Sequence, residues 1–69
     1  MTKLPSSEKV ISILIMNGFV FKSQKGSHKK FVKNDKTVIV PAPKKQIPLG
    51  TLKSISKQSG ISFYEFINL

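Results

Sequence analysis

The 69-residue chain has no cysteine and no arginine, and it carries only three acidic residues and one histidine. Each shortage removes a class of function. Without cysteine there are no disulfide staples and no thiolate metal ligands, and a reducing compartment suits such a chain. One histidine and the scattered acids Glu8, Asp35 and Glu65 do not supply the ligands of a usual zinc site. Nor do those acids form the close pair that glycoside hydrolysis or two-metal nuclease chemistry requires. A glycine fingerprint for nucleotide phosphates is missing as well. No apolar run approaches the ~20 residues of a membrane span, and no signal peptide is visible at the polar start MTKLPSSEK. The expectation is therefore one cytoplasmic domain over residues 1–69, with no metal, cofactor or membrane contact. A domain of this size hides only roughly 60% of its unfolded surface, so it depends on a tight core.

Lysine is what the chain has in excess. Twelve basic residues, all lysine, oppose three acids and give a net charge of +9. Such a surplus implies a polyanionic partner, a nucleic acid or an acidic protein ahead of a membrane surface, the plain alternative being lysines that simply keep a small domain soluble. Lysine is a point charge on a flexible stem and lacks the bidentate fork with which arginine reads guanine edges. Binding directed at a nucleic-acid backbone, with little base preference, follows from that choice of cation.

The hydrophobic pattern changes period along the chain. Residues 6–17 predict a helix, capped by Ser6 or Ser7, with Glu8 near its positive end and Gly18 as its stop. Val10, Ile11, Leu14 and Ile15 form its apolar face. FVFKSQ (19–24), HKKFVK (28–33) and TVIVP (37–41) read as strands separated by the turn signals KGSH and NDK, with Phe19 and Phe21 on one side of the first. Short turns make these strands an antiparallel meander. PAPKKQIP (41–48) holds three of the four prolines and reads as an irregular connection. A second helix over 49–60 ends at Gly60, with Leu52 and Ile55 facing inward and Lys53 and Lys57 sharing another face. Ser62 and Glu65 have capping-box spacing before a last short turn whose Phe63, Phe66 and Ile67 complete the core. The order is α-β-β-β-α, an α+β fold with both helices on one face of a three-stranded antiparallel sheet and the other face open.

One imidazole among lysines is the chemistry that survives this inventory. Ser27 beside His28 is not part of a triad, because neighbours on a strand point to opposite faces. RNA cleavage asks for little more than a base, since the 2′-OH is an internal nucleophile. Nearby lysines stabilise charge on the phosphate. If Phe31 points into the core, His28 and Lys30 point outward, and Gly26 lets a backbone approach closely. The plain alternative is a surface histidine after a hairpin turn.

GSHKKF (26–31), TVIVP (37–41) and GTLKSISKQSG (50–60), with NGF (17–19) after the first helix and SFYEF (62–66) at the end, resemble the HicA family of bacterial toxin mRNA interferases. The ordered set covers almost the whole chain. The resemblance implies a double-stranded-RNA-binding-like fold, ribosome-independent cleavage of mRNA, and a cognate HicB-like antitoxin that blocks the active surface. It also maps the family's catalytic histidine onto His28 and the family's glycine onto Gly26. Ser56 and Ser59 depart from the family pattern, standing where an apolar residue and alanine are common. The leading expectation is a metal-independent endoribonuclease toxin with His28 as acid/base. Its candidate RNA contacts are Gly26, Ser27, Lys29, Lys30, Lys53 and Lys57. The alternatives are a non-catalytic RNA-binding module and a basic protein whose partner is an acidic protein.

Overall fold

Two serines open the first helix, and they do different jobs. In the computed structural model, which describes residues 3–67, α1 spans Ser7–Met16. The Ser6 hydroxyl caps it by accepting a hydrogen bond from Lys9 N at 3.1 Å. Val10 and Leu14 are fully buried, but Ile15 is 55% exposed, so the apolar stripe is wider than the surface available to cover it. The helix stops at Asn17 and Gly18. Gly18 N donates to Ile15 O and Phe19 N to Leu14 O, each at 3.0 Å, and Gly18 adopts the left-handed φ of 92° that this closure requires.

The sheet follows as β1 (Val20–Lys25), β2 (His28–Lys33) and β3 (Lys36–Pro41), antiparallel in the order β1-β2-β3. Phe31 pairs with Val38 and Lys29 with Val40, and the burial of Phe31, Val38 and Val40 marks the inner face. β1 is an edge strand, bulged between Phe21 and Ser23 and exposed along its whole length. Phe21 meets the Phe31 ring edge-on at 5.8 Å yet remains 53% exposed, whereas Phe19, ahead of the strand, is buried. The pairing of the two expected on sequence grounds therefore splits at the edge of the sheet.

α2 (Leu49–Ser59) lies against β3 and buries Leu52 and Ile55, and Gly60 ends it at a φ of 75°. Ser56 and Ser59, two hydroxyls on the packed side of α2, are both satisfied. The Ser56 hydroxyl donates to Ile61 O at 2.6 Å, and the buried Ser59 hydroxyl accepts from Ile61 N at 3.1 Å. They fasten the chain as it leaves the helix. α3 (Phe63–Ile67) closes the core with Phe66, while Phe63 and Ile67 are only half-buried. Ser62 caps it through Tyr64 N at 3.3 Å rather than through Glu65 N, which bonds to the Ser62 carbonyl. The irregular connection contributes more than a link, because Ala42 and Ile47 are part of the core.

Candidate active site

The β1–β2 hairpin sets the position of His28. Its turn has two residues, Gly26 and Ser27, and Gly26 sits at a φ of 59°, a conformation that glycine adopts without strain. So short a turn makes Lys25 and His28 direct partners across the strands, with side chains on one face. On the other side His28 pairs with Pro41 and Lys30 with Ile39. Strand alternation puts His28, Lys30 and Ile39 on the face opposite Phe31 and Val38. Gln24 steadies the turn by donating through Nε2 to Gly26 O at 3.0 Å.

His28 is exposed and stands where two grooves meet. The first, about 600 Å³, is lined by Lys25, Gly26, Ser27 and Lys30. The second, about 500 Å³, runs toward α2 and is lined by Lys44, Thr51, Ser54 and Gln58. Ser27, His28 and Ile39 border both. The α2 wall is fixed to the sheet, since Ile39 N donates to Gln58 Oε1 at 3.3 Å. This bond covers a backbone donor on the outer edge of β3. The next outward-facing position on that edge is Pro41, which has no N–H to satisfy.

Of the residues singled out from sequence, Gly26, Ser27, His28 and Lys30 come together around the first groove. Lys29 lies on the inner side of β2, opposite the buried Val40. Lys53 and Lys57 are exposed on α2 but line neither groove, because the helix turns Thr51, Ser54 and Gln58 toward His28 instead. Lys57 sits in the last turn, where a cation interacts favourably with the helix dipole. Lys25, Lys44 and the polar face of α2 are the residues that sequence reasoning missed. Lys25 was within reach of it, since a two-residue turn dictates that it opposes His28.

Chemically, the two grooves offer one imidazole, the ammonium groups of Lys25, Lys30 and Lys44, and neutral hydroxyl and amide donors. Among the described residues no three His, Asp or Glu side chains gather to hold a metal ion, and no helix is long and apolar enough to cross a membrane. A family model described as "HicA toxin of bacterial toxin-antitoxin" matches residues 7–61, well over half of the chain and all of the elements that build this site. No curated protein matches the chain.

Proposed function

Because the chain belongs to the HicA family of toxins from bacterial toxin–antitoxin pairs, we propose that it acts as a metal-independent endoribonuclease that cleaves mRNA, with His28 as the general base. Family membership makes it the toxin of such a pair and implies a cognate antitoxin. The observation that carries the catalytic reading is the solvent-facing His28 at the junction of two grooves, beside Lys25 and Lys30.

The imidazole takes the proton of the 2′-OH, and the 2′-oxygen forms its bond to phosphorus. The bond from phosphorus to the 5′-oxygen then breaks, and that oxygen takes its proton from solvent, which has free access to this exposed site. The products are a 2′,3′-cyclic phosphate and a 5′-OH. The internal nucleophile removes any need for a covalent enzyme intermediate. General base catalysis contributes about 10²–10⁴-fold. Lys30 and Lys25 stabilise the charge that builds on the phosphate oxygens, and Gly26, with no side chain, lets the RNA backbone approach the turn. Lys29, Lys53 and Lys57 act at longer range, as part of the positive field that draws RNA to the surface.

The antitoxin on this reading is HicB-like and blocks the groove at His28. Purified chain incubated with RNA should cleave it, and folded His28→Ala should not. RNA that is bound tightly but left intact by the wild-type chain would favour the non-catalytic binding module instead.

A further inference from the structure

Lys44 lies in the irregular connection between β3 and α2, where a lysine is ordinarily free to wander. Here its backbone is held on both sides by Ser7. Ser7 N donates to Lys44 O at 2.9 Å, and the Ser7 hydroxyl accepts from Lys44 N at 3.0 Å and donates to Lys44 O at 3.3 Å. Ser7 is 2% exposed and is not needed as the helix cap, a role taken by Ser6. A buried hydroxyl is thus committed to one residue 37 positions away. The same connection is tied to the catalytic hairpin, because Ala42 N donates to Ser27 O at 2.7 Å, next to His28. It is tied again at its far end by Ile47 N to Pro5 O at 2.8 Å. The connection is thus held at three points, of which the Ala42–Ser27 bond joins it to the hairpin and the Ser7 clasp holds the Lys44 backbone itself, while the Lys44 side chain stays exposed.

We propose that the groove between His28 and α2 is a second RNA subsite, in which Lys44 holds a phosphate neighbouring the scissile one and Ser7 is the positioning residue for Lys44. At about 500 Å³ the groove falls within the range of small-ligand clefts. No acid lines it, and Thr51, Ser54 and Gln58 supply neutral polar groups along one side of α2. The Gln58 carbonyl oxygen is occupied by Ile39 N, so its amide N–H groups are the part left for a ligand. The groove is continuous with the Lys25 and Lys30 groove through Ser27, His28 and Ile39. That continuity favours one strand crossing His28 over a separate protein partner.

The inference rests on the reading of His28 as the cleavage site, and its test separates the two. Binding of a single-stranded RNA oligonucleotide is measured against salt in the His28→Ala background, where nothing is cut. Adding Lys44→Ala should weaken binding roughly three- to tenfold at low salt and lower the log–log salt slope by about 0.7. Lys53→Ala reports the loss of one distant charge alone and should leave most of that slope. Ser7→Ala should lower the slope as Lys44→Ala does, and the double variant should add nothing further. A purely structural serine would lower the melting temperature and leave the slope alone.

In the active chain, Lys44→Ala should reduce kcat/KM for a longer oligonucleotide but not for a dinucleotide, which has only the scissile phosphate. Equal behaviour of Lys44→Ala and Lys53→Ala, or a Lys44 effect confined to antitoxin binding, overturns the subsite. Full activity of folded His28→Ala overturns the catalytic reading instead, and the binding arm, repeated with a 2′-O-methyl oligonucleotide that has no 2′-OH to attack, still judges Lys44.

Discussion

The two ends of β2 carry the same kind of side chain and put it to opposite uses. At the Lys33 end, the ammonium donates to Asn17 O at 2.7 Å, and the stem passes over Gly18 and toward the Phe19 ring. That lysine satisfies the Asn17 carbonyl at the end of α1 and serves the fold. At the His28 end, Lys30 and the cross-strand Lys25 border an open groove beside an exposed imidazole. Net charge does not distinguish these lysines. Their parity along the strand and their distance from a helix end do.

The largest expected effect separates the outer face from the inner one. His28→Ala should lower single-turnover cleavage by about 10²–10⁴-fold and leave the melting temperature near that of the wild type. Phe31→Ala, three residues along and fully inside, should cost about 3–5 kcal/mol of stability, enough to unfold much of so small a domain. Thermal melts followed by circular dichroism check both. A large loss of stability in His28→Ala would erase the distinction between the faces.

The lysines sharpen the comparison at a smaller scale. Lys30→Ala should slow cleavage at saturating RNA by roughly tenfold or more without loss of stability. Lys33→Ala should do the reverse, costing about 1 kcal/mol and leaving the cleavage rate intact. Exchange of these two phenotypes would mean that the RNA lies at the other end of the strand. Lys53→Ala and Lys57→Ala should have the weakest effect, a modest loss of RNA affinity with a salt slope that falls by well under the roughly 0.7 of a direct phosphate contact. If Lys53→Ala alone stops the chemistry, the active site extends around α2.

The sequence made most of the fold legible because its signals are local. Gly18 and Gly60 end their helices where helix-stop chemistry says they should, and HKKFVK (28–33) is the observed β2 to the residue. The face of His28 followed from its spacing to Phe31. The errors arose where local pattern meets limited core. Ile15 and Phe21 are apolar at inward-reading positions, yet one lies beyond the covered part of α1 and the other on an edge strand with nothing outside it. The α2 side of the groove was out of reach for a different reason. Which face of that helix meets His28 depends on how it packs against β3, and the clasp of Ser7 on Lys44 joins residues 37 apart with no periodic signal.

The central claim is that the His28 end of the sheet cleaves RNA through the substrate's own 2′-OH. Its most direct test uses two oligonucleotides identical except for a 2′-O-methyl group at the cleaved nucleotide, with wild-type chain in excess EDTA and the product ends analysed. The unmodified RNA should be cut to a 2′,3′-cyclic or 3′-phosphate, and the methylated RNA should stay intact. Cutting of the methylated strand at a comparable rate, or cleavage that disappears with EDTA, would contradict the account.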